Sequence, residues 1–158
     1  MKNSEEIEKK LIERIKLCKL SPSQRRSLPF ECYWEDSFFI LEQKLIFANQ
    51  WLGLGRADRL ELSGEYEVFE LCGQTLLLIR DQDKILRLYA NTCRHRGTKL
   101  LDGTGQCQAI SCPFHGWTYA LDGNLKYAKT MSENPNFDFS EHSLIAVSYT
   151  HLTLPTIA

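Results

Sequence analysis

The sequence of 158 residues lacks any uninterrupted apolar stretch of roughly 20 residues, the length that a helix needs to span a bilayer. Its first twenty residues alternate acidic and basic side chains and lack the apolar core of a secretory signal peptide. A surplus of charge is also missing, because 19 basic residues face 20 acidic ones for a formal net charge of -1. Such a balance gives no broad attraction for nucleic acid or an anionic membrane. These absences predict a cytoplasmic protein that binds neither.

Internal repeats and low-complexity tracts are absent as well. The hydrophobic fraction of 43% and the aromatic fraction of 11% are sufficient for one domain with a core, or for a domain with a helical arm. Six cysteines are present. Because the cytosol keeps thiols reduced, these cysteines indicate metal or redox chemistry before they indicate disulfides.

Two helical patterns come before any strand pattern. From residue 4 to residue 20, charged residues surround an apolar stripe at helical spacing. The stripe consists of Ile7, Leu11, Ile15 and Cys18. We expect this helix to end at Pro22 and to pack as an arm on the domain or on a partner subunit. A second helix with a wide apolar face is predicted from about residue 37 to residue 51.

Short β-rich runs separated by turn residues follow the helical patterns. The predicted strands are residues 67–72, 75–80, 85–89, 108–111 and 117–121. Asp122, Gly123 and Asn124 predict a tight hairpin turn after the last of them. Closely spaced short strands favour an antiparallel sandwich or barrel. The predicted fold class is therefore mainly β with amino-terminal helices.

The chain is expected to divide into a helical arm (1–27), a helical lead-in (28–60) and a β domain (61–147), followed by a tail (148–158). The tail sequence, SYTHLTLPTIA, resembles translated sequencing-adaptor read-through. We therefore expect the tail to be an artefact and the natural chain to continue differently after Val147. The alternative is an ordinary strand and tail.

Two short segments combine one cysteine with one histidine each. Cys93 and His95 are followed, after 16 intervening residues, by Cys112 and His115, which gives the pattern C-x-H-x16-C-x2-H. A [2Fe-2S] cluster needs four protein ligands, and replacing two thiolates on one iron by imidazoles raises its reduction potential. The pattern predicts that one iron takes both cysteines and the other takes both histidines.

A zinc site is the alternative for these four residues, because two cysteines and two histidines also form an accepted tetrahedral zinc set. Zinc knuckles usually pair two cysteines in one loop and two histidines in another, whereas each loop here mixes the two types. The remaining cysteines are expected to be small buried hydrophobic residues, since no matched spacing links them. They are Cys18, Cys32, Cys72 and Cys107.

Several residues flank the predicted ligands. Gly97 and Gly116 suit tight loops whose backbone amides point at sulfur, and Gly103 and Gly105 are expected to be ordinary turn residues. The basic group near the ligands consists of Arg94, Arg96 and Lys99. It is expected either to attract an acidic donor protein or a neighbouring subunit, or to form a solvated loop.

The segments NTCRHRGTKLL and ISCPFHGWTYALDGNL resemble the Rieske domain of the aromatic-ring-hydroxylating, or Rieske non-haem iron, oxygenases, in the large α subunit. The likeness extends over about residues 28–147 and includes Arg94, Arg96, Gly97, Gly116 and Trp117 beside the ligands. It implies an antiparallel Rieske β-sandwich or barrel at residues 61–147 that carries a [2Fe-2S] cluster. Respiratory Rieske proteins carry an extra cysteine in each loop, which this sequence lacks. A lower potential is therefore implied.

The resemblance also implies partners and a second metal centre. In that family the cluster accepts electrons from a reductase or ferredoxin, and passes them to a mononuclear iron in a separate catalytic domain, usually within a trimer or an α3β3 assembly. That iron is held by two histidines and a carboxylate. Only His142 and His151 remain once the cluster ligands are assigned, so the catalytic domain is expected to be absent.

The chain is therefore expected to carry an electron and to hydroxylate nothing by itself. The parent protein would activate dioxygen to hydroxylate or demethylate an organic substrate, whose class the sequence leaves open. Two alternatives stay open at this point. One is a stand-alone Rieske-type ferredoxin, and the other is a zinc-stabilised interaction module without redox function.

Overall fold

A computed structural model of the chain describes residues 2–129, 131 and 133–147, and only the backbone of residues 2–8. The described chain divides after Leu52 into two compact units. The predicted tail at 148–158, with His151, lies outside the described residues, as does the side chain of Ile7. Within the described part, no helix is long and apolar enough to cross a membrane.

The first unit begins with α1 (Lys2–Lys16), which continues into a 3₁₀ turn at Leu17–Lys19. Leu11 is buried, while Ile15 and Cys18 are half-buried. The predicted amphipathic helix and its apolar stripe are therefore confirmed where side chains are described.

The second helix, α2 (Asp36–Leu45), ends earlier than predicted. The side-chain amide of Asn49 donates hydrogen bonds to the carbonyls of Lys44 (2.8 Å) and Leu45 (3.5 Å). These bonds satisfy carbonyl groups that have no partner inside the helix, so the helix stops there. Short 3₁₀ turns precede and follow it at Phe30–Tyr33 and Phe47–Asn49. Of the predicted wide apolar face, Phe38 is buried, whereas Phe39, Leu45 and Ile46 are exposed.

The second unit contains seven antiparallel strands in two sheets. The first sheet has the order β3-β2-β1-β4 and the second has the order β5-β6-β7. The strands are β1 (Glu65–Leu71), β2 (Gln74–Arg80), β3 (Leu86–Ala90), β4 (Thr104–Gln106), β5 (Ile110–Ser111), β6 (Thr118–Tyr119) and β7 (Leu125–Tyr127). The mainly β fold with amino-terminal helices is confirmed.

Two of these strands, β4 and β7, were not predicted. Each has only three residues, and every residue of β4 is exposed, so it has no alternation of buried and exposed positions to detect. The β1–β2 turn also differs, because Cys72 and Gly73 form it rather than Gly73 and Gln74. Both turn residues have positive φ (52° and 74°), as a two-residue type I′ hairpin turn requires.

The main core lies between the two sheets. It combines Leu77, Ile79 and Tyr89 from the first sheet with Ile110, Tyr119 and Leu125 from the second. The predicted ligands Cys93 and Cys112 belong to the same buried cluster. The opposite face of the first sheet is buried in a second cluster that includes Leu60, Leu76, Leu78, Leu86 and Leu88. The core between the two sheets therefore includes both thiols.

Candidate metal centre

The four predicted ligands lie in two hairpin loops, residues 93–98 and residues 112–117, which share one backbone hydrogen-bond pattern. In each loop the cysteine amide donates to the carbonyl five residues later, to Thr98 or to Trp117, at 2.8 Å in both cases. The glycine amide four residues after the cysteine donates back to the cysteine carbonyl at 3.0 Å. The flanking residues pair antiparallel in both hairpins, in the same register relative to the cysteine. The two cysteines therefore have equivalent positions at the base of equivalent turns.

Gly97 and Gly116 adopt the left-handed conformation that this turn requires, with φ of +72° and +69°. A Cβ atom added at either position would meet no heavy atom within 4 Å. The requirement for glycine is therefore one of backbone conformation and not of space.

The two thiols are almost fully buried, with Cys93 2% exposed and Cys112 4% exposed. Burial raises the pKa of the Cys93 thiol, and the adjacent Cys112 raises it further, while Tyr119 and the His95 amide act in the opposite direction. The metal-free site thus holds a protonated thiol that must lose its proton when it binds a metal.

Tyr119, on β6, connects the second hairpin to the first loop. Its hydroxyl oxygen accepts a hydrogen bond from the Arg94 amide at 3.0 Å and lies 3.3 Å from the Cys93 sulfur. Because the oxygen accepts from the amide, its own proton is available to the sulfur. Burial, followed by the adjacent Cys93, raises the pKa of this hydroxyl, which keeps it protonated.

The two imidazoles lie side by side, with 4.8 Å between the ring centroids of His95 and His115. The Nδ1 atoms of both rings are buried and have no hydrogen-bond partner among the described residues. Burial lowers the pKa of His95, and the charges of His115 and Arg96 lower it further. The neutral ring, which is the form that binds a metal, is therefore favoured.

The donor set fits a [2Fe-2S] cluster. Buried polar atoms are nearly always paired, so the unpaired Nδ1 atoms of two neighbouring imidazoles, in loops whose thiols are also buried, are suited to binding one common group. Among the described residues, no three or more His, Cys, Asp or Glu side chains form a group that could hold a single metal ion. A [2Fe-2S] cluster does not require such a group, because each iron takes two protein ligands and the sulfides supply the rest.

Trp117, which we predicted to flank the ligands, is 3% exposed and packs against the ring of His95. The two rings are nearly parallel, with 4.9 Å between centroids and 9° between planes. Phe114 is also close to a predicted ligand, since its ring centroid lies 3.8 Å from that of His115, but its side chain is 61% exposed. One imidazole is therefore covered by a buried ring and the other by an exposed ring.

Asn91 is a site residue that the sequence analysis missed. Its side chain is buried and forms two hydrogen bonds with the backbone of Leu101, donating to the carbonyl (2.8 Å) and accepting from the amide (3.1 Å). These bonds join the two ends of the segment that contains Cys93 and His95. A polar residue two positions before the first cysteine was the available signal, but burial alone distinguishes it from a surface turn residue.

The predicted basic group does not form a single free patch. Lys99 pairs with Asp102 at 2.5 Å, and the Arg94 guanidinium donates to the Glu141 carbonyl at 3.5 Å. Arg94, Arg96 and Lys99 are all exposed. The four other cysteines are half-buried, which corrects the expectation that they are buried.

The sequence model of the Rieske [2Fe-2S] domain matches residues 50–144, more than half of the chain. The chain belongs to this family. The carnitine monooxygenase oxygenase subunit of Escherichia coli (strain K12) is 34% identical to it over 128 residues, 80% of this chain and 34% of that protein. The glycine betaine monooxygenase oxygenase subunit of Chromohalobacter salexigens is 34% identical over 127 residues, 79% of this chain and 28% of that protein.

Solved Rieske proteins share the fold. The crystal structure of the quaternary ammonium Rieske monooxygenase CntA in complex with the substrate L-carnitine matches with a TM-score of 0.68 at 32% identity, and the match covers 76% of this chain and 34% of that chain. This Rieske chain thus spans about a third of the length of the curated relatives it matches. The cofactor of its family is the [2Fe-2S] cluster, and the resemblance in the two loops is confirmed at the level of the family.

Proposed function

We propose that Cys93, His95, Cys112 and His115 bind the [2Fe-2S] cluster, and that the chain is the electron-transfer domain of an oxygenase subunit. The observation that carries the proposal is the pair of buried Nδ1 atoms that lack a partner among the described residues, on imidazoles with 4.8 Å between ring centroids, in two loops whose thiols are also buried. Nδ1 of each ring would bind iron, and Nε2 would remain the outer nitrogen. The thiols lie on the core side of the site, so the imidazoles form its outer side.

A bound cluster of this type supplies a one-electron carrier whose potential is set by its ligands, by hydrogen bonds to sulfur and by burial. The chain contributes to each of these factors. Tyr119 offers a proton to the Cys93 sulfur, the interior between the sheets excludes water from both thiols, and Trp117 covers His95. These residues would hold the ligands in place while the cluster gains and loses an electron.

The proposal extends to the longer protein to which this domain would belong. Its relatives are oxygenase subunits that act on carnitine and glycine betaine by name, and the matching structures include a quaternary ammonium monooxygenase. We infer a parent monooxygenase for a quaternary ammonium substrate, with a mononuclear Fe(II) site in a catalytic domain beyond the β domain. It would receive electrons from a reductase or ferredoxin, and would act as a cytoplasmic homotrimer or α3β3 assembly.

Anaerobic purification of the chain, followed by visible absorption and electron paramagnetic resonance (EPR) after dithionite reduction, tests the cluster. We expect a coloured protein with two irons per chain and a reduced spectrum whose average g value is lower than that of an all-cysteine cluster. A colourless protein that contains zinc and gives no signal would contradict the assignment.

The oxygenase role needs the natural continuation of the gene after residue 147. We expect that sequence to encode a second domain with two histidines and a carboxylate suited to iron. With a reductase, the full protein should consume oxygen when carnitine or glycine betaine is added, and should not respond to an aromatic acid of similar size. A stop codon soon after residue 147 would instead support a stand-alone electron carrier.

A further inference from the structure

His142 lies next to the aromatic residue that covers the predicted ligand His95. It belongs to a 3₁₀ turn, Ser140–His142, far along the chain from both ligand loops. Its ring meets the Trp117 ring edge-on, with centroids 5.7 Å apart and planes at 70°. Phe137 contacts both of these rings. Its ring stacks on His142 with 4.5 Å between centroids, and it meets Trp117 edge-on with 5.7 Å between centroids.

The rings of Trp117, Phe137 and His142 therefore form a closed set in which each ring contacts the other two. His142 is itself fixed, because its Nδ1 lies 2.9 Å from the Asp138 carbonyl, an acceptor to which it donates as the Nδ1-H tautomer. Offset-stacked and edge-on arrangements at these distances are the favourable geometries for aromatic pairs. Trp117 thus stacks on a predicted ligand, His95, and is also contacted edge-on by His142 and Phe137.

We propose that His142 is a positioning residue for the cluster: its ring, together with Phe137, holds the Trp117 indole flat against His95 and thereby fixes the orientation of that imidazole. The inference rests on the proposed ligand assignment. A ring bound through one nitrogen can still rotate about its bond to the metal, and contacts outside the ligands normally prevent this. Trp117 provides that contact for His95, and His142 and Phe137 keep Trp117 in place.

The proposal assigns no charge or proton transfer to His142. What matters is the contact of a flat ring with Trp117 and Phe137, which phenylalanine can make even though it loses the hydrogen bond to the Asp138 carbonyl, and which a branched aliphatic side chain cannot make. His142 is half-buried in a short turn, so these substitutions are expected to leave the β domain folded. The variants His142→Phe, His142→Leu and His142→Ala therefore separate ring shape from volume.

The experiment compares the cluster-loaded wild-type chain with these three variants, using EPR linewidths, the reduction potential, iron content and the melting temperature. In the Leu and Ala variants, we expect the g-value features to broaden about twofold, because His95 samples several orientations. Their potential should rise, since a displaced indole no longer favours the more positive oxidised site. The His142→Phe variant should match the wild type in both EPR linewidth and reduction potential.

Phe139→Ala is the matched control. Its ring packs on Phe137 at 5.1 Å within the same segment, so its removal costs packing in a similar way. It should lower the melting temperature while leaving the EPR linewidth unchanged. Equal broadening in Phe139→Ala and His142→Ala would overturn the proposal, because general loosening would then explain both.

The remaining outcomes separate this inference from the assignment beneath it. A wild-type Rieske spectrum that none of the His142 variants changes would overturn the positioning role alone, and so would broadening in the Phe variant as large as that in the Ala variant. Absence of a Rieske spectrum from the wild-type chain would overturn the ligand assignment, and the positioning role with it.

Discussion

The two ligand loops have the same backbone and different surroundings. Residues 93–98 and residues 112–117 close with the same hydrogen bonds, at the same distances, around a glycine with nearly the same φ. The second loop, however, is part of a hairpin between β5 and β6, while the first joins the end of β3 to an irregular segment. The cysteine position is thus set by the turn itself, and what keeps each turn in place differs.

The first loop depends on side chains from elsewhere in the chain. Asn91 ties its ends together through Leu101, and both Tyr119 and Trp117 reach it from the second hairpin. The second loop is closed by the pairing of the strand before it, β5, with the strand after it, β6. We infer that changes to the second loop act through its backbone, and that the first loop is also sensitive to remote substitutions.

The largest effect is expected from substitutions that remove one proposed ligand from either loop. Cys93→Ser and His115→Ala should both abolish the cluster and loosen the fold, because the remaining three donors cannot satisfy two irons and the loops lose their common link. Iron content should fall to nearly zero, and visible absorption should disappear in both variants. Retention of a Rieske spectrum in either would contradict the equivalence of the two loops.

Asn91→Leu should damage the first loop selectively. The substitution leaves the amide and carbonyl of Leu101 without partners, which should cost about 2 to 4 kcal/mol of unfolding free energy. Denaturant unfolding of the metal-free chain measures this loss. Asn91→Asp should also lower the free energy of unfolding at neutral pH, because a carboxylate cannot donate a hydrogen bond to the Leu101 carbonyl.

The control for Asn91 is Asn136→Leu, at an exposed position. It should change the unfolding free energy by less than about 0.5 kcal/mol. If both leucine variants had the same small effect, the side-chain bridge would not be what holds the first loop closed.

Gly97→Ala and Gly116→Ala test the shared turn. Alanine must adopt a left-handed conformation at both sites, at a cost of roughly 1 to 2 kcal/mol each, and no steric clash adds to it. Both variants are therefore expected to lower the melting temperature by a similar amount, which thermal unfolding measures. Gly53→Ala is the matched control, since its φ lies outside the left-handed region and its added Cβ also meets nothing within 4 Å. A large loss at only one of the two loop glycines would show that the turns are not equivalent.

The smallest effect concerns one hydrogen bond that is specific to the first loop. Tyr119→Phe removes the proton offered to the Cys93 sulfur, and hydrogen bonds to sulfur raise the potential by stabilising the reduced cluster. The loss of a hydrogen bond worth about 1 kcal/mol corresponds to a decrease in reduction potential of roughly 40 mV for a one-electron couple. Redox titration measures it, with Tyr127→Phe at a half-exposed position as the control. A potential that stays constant would mean that the hydroxyl serves only the Arg94 amide.

The sequence predicted the parts of this molecule that depend on local pattern. The helix at α1 follows from residues with period 3.6, β2 follows from a run of branched apolar residues, and β3 follows from a short run in which Leu86, Leu88 and Tyr89 are the large apolar residues. Spacing and residue type alone predict Cys93, His95, Cys112 and His115 as ligands, and the structure brings the two loops together. The family that their loops resemble is the one to which the chain belongs.

The parts that were missed depend on contacts between distant positions. Asn91 and Leu101 are joined by side-chain bonds, and nothing in either residue type indicates that pairing. The role of Tyr119 depends on the packing of one hairpin on another, which periodicity does not encode. The strands β4 and β7 were missed because neither alternates between buried and exposed positions: β4 is exposed throughout, and β7 has one buried residue followed by two exposed ones.

Each loop supplies one sulfur and one nitrogen, whereas each iron of the proposed centre takes two donors of one kind. Neither hairpin can therefore retain an iron independently, and every iron must bridge the two. On this assignment, cluster insertion would require the two hairpins to be packed together. A chain that ends before residue 115 would lack one of the four proposed donors, so the colour of the cluster would report that both hairpins are present and packed together.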